Sequence, residues 1–205
     1  HNAQPVGIPV ENKRRIVDTR TEEVSVLTAS DRDAMFVLME RYYEGTTREE
    51  FEGDLDGKQH LIRMFDKDGG LCGFSTIQLI PFEHEGKQLL ALFSGDTVID
   101  RACWGQKQLQ IAFGRFLLHL LITRKESLYW FLISKGYKTY LFMRNNLRAT
   151  SYPNHERSTP PTVKALLDHV ATLKYPKQYD SERGVISFPG KSCAVKGSYG
   201  AITDQ

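Results

Sequence analysis

The stretch 71-LCGFSTIQLIPFEHEGKQLLALFSGDTV-98 decides the fold. It contains two extended runs, residues 71–80 and 89–98, which are rich in apolar and β-branched residues and are separated by a short polar segment with a glycine. A third run, residues 60–65, precedes them across a loop of Asp and Gly residues that tolerate a positive φ. Three extended runs joined by short turns predict an antiparallel meander.

The sequence before the meander predicts a strand and two helices. Residues 24–27 are predicted to form a short strand, and Ser30 then caps a helix whose apolar residues repeat at helical spacing. After Gly45, Thr46 or Thr47 caps a second, shorter helix.

A long helix is predicted after the meander. It begins near Lys107, and the apolar run 128–134 is expected to continue it after a break. Gly136 ends this helix as a C-cap, and residues 137–143 are then predicted to form a strand. The remaining predicted elements are a helix in residues 144–152, a helix led by Pro160 and Pro161 that runs to about residue 173, and a late strand in residues 185–188.

The composition predicts one globular domain in the cytoplasm. The chain has 205 residues, of which 40% are hydrophobic, and its formal net charge is +2 with basic and acidic residues interspersed. Such a chain lacks the basic patch that selects nucleic acid. Its apolar stretches are too short or too interrupted by charge to cross a bilayer, and residues 1–15 lack the apolar centre of a secretory signal. Neither nucleic acid nor a membrane is an expected partner.

The cysteines predict reduced thiols. Cys72, Cys103 and Cys193 form neither a CxxC pair nor a cluster with histidines at metal-ligand spacing, so no metal site is expected. Two interpretations of Cys103 stay open, a catalytic nucleophile and a small buried hydrophobic residue, of which the second is favoured.

The order of these elements and two local patterns resemble the GCN5-related N-acyltransferase (GNAT) family. One pattern is the Gly73-Phe74 pair after the first hairpin. The other is Gly136-Tyr137 before a strand, followed by Asn146, Ala149 and Tyr152 at the family's approximate spacing. The resemblance implies an α/β (α+β) fold with a mixed, mainly antiparallel twisted sheet flanked by helices. On this reading residues 1–20 form an N-terminal arm, residues 21–153 the acyltransferase core, and residues 154–205 a C-terminal extension that packs on the core.

The resemblance also implies a cofactor loop at the start of the long helix. Family members place glycines there, so that backbone N–H groups and the helix N-terminus approach the pyrophosphate of acetyl-CoA or another acyl-CoA. This chain has Gln106, Lys107 and Gln108 in that loop, and these residues, with Asn146, are the candidate cofactor-binding residues. Three alternatives stay open: the glutamines crowd the pyrophosphate, the donor is an acyl carrier protein, or an altered turn still binds CoA.

Catalytic roles follow from the same resemblance. Acyl transfer to an amine needs a base for the amine proton and an acid for the leaving thiolate. Tyr152 is the candidate acid, and Asp96, on the strand that borders the family's cleft, is the candidate base. A β-bulge at Gly95-Asp96 is the structural alternative. Glu44, between the first two helices, is the candidate substrate-binding residue.

The leading functional hypothesis is direct transfer of an acyl group from acyl-CoA, or another acyl thioester, to a small-molecule or peptide amine. A catalytically degenerate GNAT-fold binding or regulatory module is one alternative. The other is an acyl-carrier-protein-dependent acyl synthase, in which the apolar stretch 113–132 lines an acyl tunnel, although this stretch is more simply the core side of a helix.

Overall fold

The computed structural model describes residues 13–133, 151–154, 156–188 and 194–195. Its strands are β1 (Asp18–Glu23), β2 (Tyr43–Glu44), β3 (His60–Phe65), β4 (Leu71–His84), β5 (Lys87–Ile99), β6 (Ser127–Leu132), β7 (Tyr179–Asp180), β8 (Val185–Ile186) and β9 (Ala194–Val195). Its helices are α1 (Ala29–Tyr42), α2 (Arg48–Asp56), α3 (Gln108–Thr123) and α4 (Pro161–Lys174). None of these helices has the length and hydrophobicity that crossing a membrane requires.

A five-stranded mixed sheet in the order β1-β3-β4-β5-β6 organises the chain. Its neighbouring strands are antiparallel except β5 and β6, which run parallel and are connected by α3. The long β4–β5 hairpin turns at Glu85 and Gly86, whose φ values of 50° and 75° are both positive, as a type I′ turn requires. The predicted meander is therefore confirmed, and its last two strands extend to this hairpin tip.

Side chains of β4 alternate between the two faces of the sheet. Phe74 packs with α1 and α2, and Phe82 packs with α4, whereas Ile77 on the opposite face packs with α3. Because both faces are covered, β4 is buried almost throughout its first half. The fold thus has three layers, with α3 on one side of the sheet and α1, α2 and α4 on the other.

The two N-terminal helices begin at capping boxes. Thr28 caps α1 and Thr47 caps α2, and in each case the residue at the third helical position, Asp31 or Glu50, returns a hydrogen bond to the cap residue. The prediction for the second helix was therefore right at Thr47. The first cap lies two residues earlier than the predicted Ser30, because Thr28 makes the reciprocal pair with Asp31.

Two predicted elements near the sheet edges are wrong. Residues 24–26 form a short 3-10 turn, and the first strand is β1, because Asp18–Glu23 pairs along the whole of β3. The run 128–134 does not continue the long helix: α3 ends at Thr123, and β6 pairs with β5. A short apolar run fits a buried strand and a buried helix equally well, and here the aromatic residues of β6 favour the strand.

One side of the stretch 113–132 belongs to the core. Phe113, Phe116 and Leu120 are buried against β3, β4 and β5, and Trp130 packs on Phe113 with ring centroids 4.8 Å apart. These side chains fill the space between α3 and the sheet, which favours the interpretation as helix core over an acyl tunnel.

The described part of the C-terminal segment contacts the rest of the fold through helix α4 and strand β9. Helix α4 begins at Pro161, as predicted, and packs Leu166 and Val170 on β4 and β5. Strand β9 pairs with β2, between α1 and α2. The late strand predicted in residues 185–188 is shorter, since β8 has only two residues and pairs with β7.

Candidate functional site

A β-bulge interrupts β5 at the point where its pairing with β6 ends. The parallel register runs from Leu89 to Ser94 of β5, and β5 then continues to Ile99. On the other side, Ile77 of β4 faces Ser94 and Ser75 faces Thr97, so that Gly95 and Asp96 together oppose Thr76. A bulge of this kind bends the strand and re-aims its side chains. The bulge predicted as an alternative at Gly95-Asp96 is present, and it carries the half-buried Asp96.

Glycine is required at position 95 by close packing. A Cβ atom at Gly95 would lie 2.5 Å from Thr76 Oγ1 and 2.8 Å from Lys58 Cε, distances at which neighbouring atoms must move. Thr76 is 2% exposed, and its hydroxyl has no hydrogen-bond partner among the described residues. The backbone of the bulge therefore packs directly against the Thr76 hydroxyl and the aliphatic part of the Lys58 side chain.

Lys58 supplies a buried cation beneath the bulge. Its side chain is 1% exposed, and its ammonium pairs with the Asp54 carboxylate at 2.5 Å and donates to the Asp54 carbonyl at 3.2 Å. The ammonium also lies 5.7 Å from the centroid of the Phe93 ring on β5. A buried ammonium needs such a partner, because its desolvation is otherwise too costly.

The end of α4 brings a second lysine and a tyrosine to the same ring. The Lys174 ammonium lies 4.6 Å from the Phe93 centroid and donates to Gln78 Oε1 of β4. The Tyr175 ring meets Phe93 edge-on, with centroids 6.3 Å apart. We call the residues gathered here the bulge cluster; its members are Asp54, Lys58, Thr76, Gln78, Phe93, Asp96, Lys174 and Tyr175.

Burial and mutual charge shift the titration of the cluster. Burial lowers the pKa of Lys174, and the charge of Lys58 lowers it further, against the opposing effect of Asp54 and Asp96. Burial raises the pKa of Tyr175 to about 12, and the same two carboxylates act in that direction. The cluster thus offers a carboxylate, a protonated phenol and an amine of lowered basicity, which are the groups that proton transfer requires.

The loop between β5 and α3 is held by internal hydrogen bonds. Gln106 accepts from the Ile16 N–H at 2.9 Å and donates to the carbonyls of Arg14 and Cys103 at 2.8 and 3.2 Å. The buried Asp100 carboxylate pairs with Arg41 at 2.6 Å and with Arg14 at 3.4 Å. The bonds to Arg14 and Ile16 hold residues 14–16, which precede β1, against the loop.

The start of α3 has no side-chain cap. Lys107 is the N-cap residue, its exposed side chain makes no capping hydrogen bond, and Gly105 before it has a φ of 81°. The N–H groups of the first turn therefore lack a side-chain acceptor from the cap residue. Gln108 Oε1 is buried without a hydrogen-bond partner among the described residues. The Gln106 amide is engaged by backbone groups, whereas Lys107 at this helix start is exposed.

The other predicted residues lie apart from the bulge in the described contacts. Tyr152 is half-buried in a bend, and the Arg157 guanidinium lies 5.2 Å from its ring centroid. Glu44 is exposed in β2, opposite Ala194 of β9. Asn146 lies outside the described residues, as do the predicted strand 137–143 and residues 144–150 of the predicted helix 144–152; residues 151 and 152 of that helix are described and are not helical.

Cys103 is a buried hydrophobic residue, as favoured from the sequence. Its side chain packs with Ile16, Met64 and Cys72 and is 1% exposed. Burial raises the pKa of its thiol to about 12, and the adjacent Cys72 acts in the same direction. A thiol held in this protonated state is a poor nucleophile.

Sequence reasoning missed Lys58, Lys174 and Tyr175. Lys174 is the last residue of α4, Tyr175 follows it, and Lys58 lies two residues after the end of α2. Only the packing of α2 and α4 on β5 brings them together. The described residues contain no group of three or more side chains that would hold a metal ion.

Comparison with known proteins adds evidence on the fold. No protein-family model matches the sequence, and no curated protein matches it. A solved structure of the BH1408 protein from Bacillus halodurans aligns over 70% of this chain and 99% of that chain, with 12% identity and a TM-score of 0.50. An acetyltransferase from Trypanosoma brucei aligns over 70% of this chain and 98% of its own, with 18% identity and a TM-score of 0.47.

A conserved protein from Enterococcus faecalis V583, described as a probable N-acyltransferase, is also similar, with 16% identity and a TM-score of 0.48. The alignment covers 62% of this chain but only 31% of that one. At such identities the likeness is one of fold. The predicted α+β architecture, a mixed, mainly antiparallel sheet flanked by helices, is confirmed.

Proposed function

We propose that this protein transfers an acyl group from an acyl thioester to an amine at the β5 bulge. The observation that carries the proposal is the position of Asp96: it lies on the bulge, where β5 runs on beyond its pairing with β6, and beside a buried cluster of ionisable groups. Clusters that shift each other's titration are typical of sites that move protons.

Asp96 is the proposed base. An amine acceptor arrives protonated at neutral pH and must lose its proton before it attacks the thioester carbonyl. A carboxylate on the bulge is aimed away from the regular ladder, and it lies close enough to Lys174 and Tyr175 to influence their titration.

Two tyrosines compete for the role of acid. Tyr152 is the residue that the resemblance implies. Tyr175 is the alternative from the structure, because it touches Phe93 and its pKa of about 12 keeps the phenol protonated. Replacing each tyrosine in turn by phenylalanine distinguishes the two candidates. Loss of the tyrosine that acts as the acid should lower kcat, whereas loss of the other should leave kcat near the wild-type value.

Acyl-CoA is the proposed donor, and an acyl carrier protein is the alternative. When bound, the thioester supplies the activated acyl group. Lys107 and Gln108 at the start of α3 are proposed to hold its phosphates, together with Asn146 as the resemblance implies. Gln106 joins them only if its bonds to Arg14 and Ile16 open. Glu44 remains the proposed contact for the amine.

The test is incubation with acetyl-CoA and longer acyl thioesters in the presence of a panel of amines. We expect release of free thiol that depends on both substrates, and a rise in the unfolding temperature with the preferred thioester, because a ligand that binds only the folded state stabilises it. Absence of both effects across the panel would contradict the proposal.

A degenerate binding or regulatory module is the second candidate. The hydrogen bonds of Gln106 to residues 14–16 favour it, because they make the loop a structural clasp. In that case a thioester raises the unfolding temperature without any thiol release.

A reducing compartment such as the cytoplasm suits either function. Cys72 and Cys103 are buried free thiols that lie next to each other in the core.

A further inference from the structure

Lys174 differs from the other described lysines that have a bonded partner. Lys58 pairs with Asp54, Lys67 with Asp68, and Lys164 with both oxygens of Asp168 at 2.6 Å. The hydrogen-bond acceptor described for Lys174 is instead the neutral amide oxygen of Gln78. Its ammonium lies over two aromatic rings, 4.6 Å from the Phe93 centroid and 5.7 Å from the Tyr175 centroid.

The position of Lys174 puts this amine beside the bulge. Phe93, which it covers, lies two residues before Gly95 in β5. Helix α4 is fixed on the same strands through Val170, so its last residue is held at the sheet. Lys174 belongs to the segment after residue 153, where the chain departs from the GNAT resemblance.

We propose that Lys174 is itself an acyl acceptor, so that the protein acylates its own site at this residue. The inference rests on the proposed function, since it uses the same thioester. The Lys174 Nζ atom forms a bond to the thioester carbonyl carbon, the carbon–sulfur bond breaks with its electron pair on sulfur, and the proton lost by the amine ends on the released thiol. No further reactant is needed.

The surroundings favour the reactive form of this amine. Only a neutral amine attacks a carbonyl, and the pKa of Lys174 is lowered by burial and by Lys58. The groups that face it are Lys58 and Asp54 from α2 and the residues that follow it, Asp96 from β5, Gln78 from β4, and its neighbour Tyr175. Acylation would remove one cation from the cluster and place the acyl group against Phe93, which would close the site to an amine substrate.

The first experiment uses the full chain with acetyl-CoA and a longer acyl-CoA, without any added amine. Peptide mapping by mass spectrometry follows the acyl adduct at each lysine. We expect Lys174 to react at least about tenfold faster than the exposed Lys67, because a neighbouring bound thioester raises the local concentration of the reacting group. Its rate should also level off at a lower pH than that of Lys67. Equal rates at Lys174 and Lys67 would overturn the inference.

Variants separate a specific site from general lysine chemistry. Lys174→Arg keeps a cation but cannot form the adduct, and it should lose the fast phase. Lys164→Arg, on the same helix, is the matched control and should keep it. Lys174→Gln imitates the acylated side chain and should lower transfer to an added amine, with the unfolding temperature recorded for each variant.

A parallel reaction with the amine panel distinguishes the two proposals. Thiol release that requires an added amine, without a Lys174 adduct, overturns self-acylation and leaves the acyltransferase function standing. An adduct at Lys174 supports the inference even if no amine of the panel reacts. Neither product with any thioester contradicts both.

Discussion

The loop before α3 and the bulge of β5 both collect polar side chains, but they use them differently. In the loop, Gln106 and Asp100 form hydrogen bonds and ion pairs with backbone groups and arginines, and these bonds have a structural role. At the bulge, Lys174 and Tyr175 are half-buried among aromatic rings, with shifted pKa values. The loop that departs from the family's motif and the cluster whose pKa values are shifted are therefore different parts of the molecule.

The difference has a simple physical origin. In the loop, Gln106 bonds to backbone groups of residues 14–16 and Asp100 pairs with arginines, so each polar side chain has a partner that satisfies it. The bulge cluster draws its members from β4, β5 and the ends of α2 and α4. Such a set persists only where the rest of the fold holds it, because burying ionisable groups costs free energy. This cost is typical of functional sites.

The largest expected effect concerns Cys103, which is buried in the loop before α3. At pH 8, Cys103 should react with a thiol reagent about a thousandfold more slowly than an unfolded cysteine, since its pKa of about 12 against a usual 9.0 leaves far less thiolate. The raised pKa also means that this group stabilises the fold fully below pH 9.0 and loses its contribution as the pH rises toward 12. Site-resolved labelling with and without urea measures this protection. Fast labelling of Cys103 in the folded protein would show that the loop is open.

The next effect tests the chemistry of the bulge. Asp96→Asn should lower kcat for acyl transfer by about 10²-fold or more, the typical contribution of a positioned base. Asp68→Asn, in the exposed β3–β4 turn, removes the same charge elsewhere and should leave kcat unchanged. If Asp96→Asn keeps near wild-type kcat, the bulge carboxylate is not the base.

The packing beneath the bulge gives a smaller, structural effect. Gly95→Ala should destabilise the protein by up to about 3 kcal/mol, because its Cβ would meet Thr76 and Lys58. Gly114→Ala in α3, with no atom within 4 Å of the new Cβ, should stabilise it by about 0.5–1 kcal/mol. Urea unfolding measures both. Adding Thr76→Ala to Gly95→Ala should recover part of the loss, whereas strictly additive effects would argue against the contact.

The smallest effect concerns the clasp at Gln106. Gln106→Ala should cost about 1–2 kcal/mol, because the backbone groups of Arg14, Ile16 and Cys103 lose their partner. Gln110→Ala, an exposed change one turn into the helix, should stay within about 0.5 kcal/mol of wild type. If Gln106→Ala left the stability unchanged but weakened thioester binding, Gln106 would belong to the cofactor site and would not hold the loop.

The sequence predicted the meander, α3 and α4 well, because each has a strong periodic pattern or a clear start signal. It failed at β6, where a six-residue apolar run gives no periodicity to separate strand from helix. The strand predicted after the long helix, in residues 137–143, lies outside the described residues. The catalytic role of Tyr152 rested on the same placement, and it stays a prediction.

At the candidate site, the sequence indicated Asp96 and the bulge but neither lysine. Gly95-Asp96 is recognisable because Gly in a strand marks a bulge. Lys58 and Lys174 are 116 residues apart in the numbering and carry no shared motif. Their approach to one phenylalanine ring depends on two helices packing on the same face of the sheet.

The sequence by itself determined the antiparallel meander with its hairpin turns, the cap of α2 and the start of α4, because these depend on spacing and on residues a few positions apart. Only the tertiary structure decided that the strand after α3 is β6 and that Gln106 closes the loop onto residues 14–16. It also decided that Lys174 reaches the bulge through α4. Hydrogen bonds and charges between distant segments form only when the packed core brings those segments together, and local sequence patterns do not encode that approach.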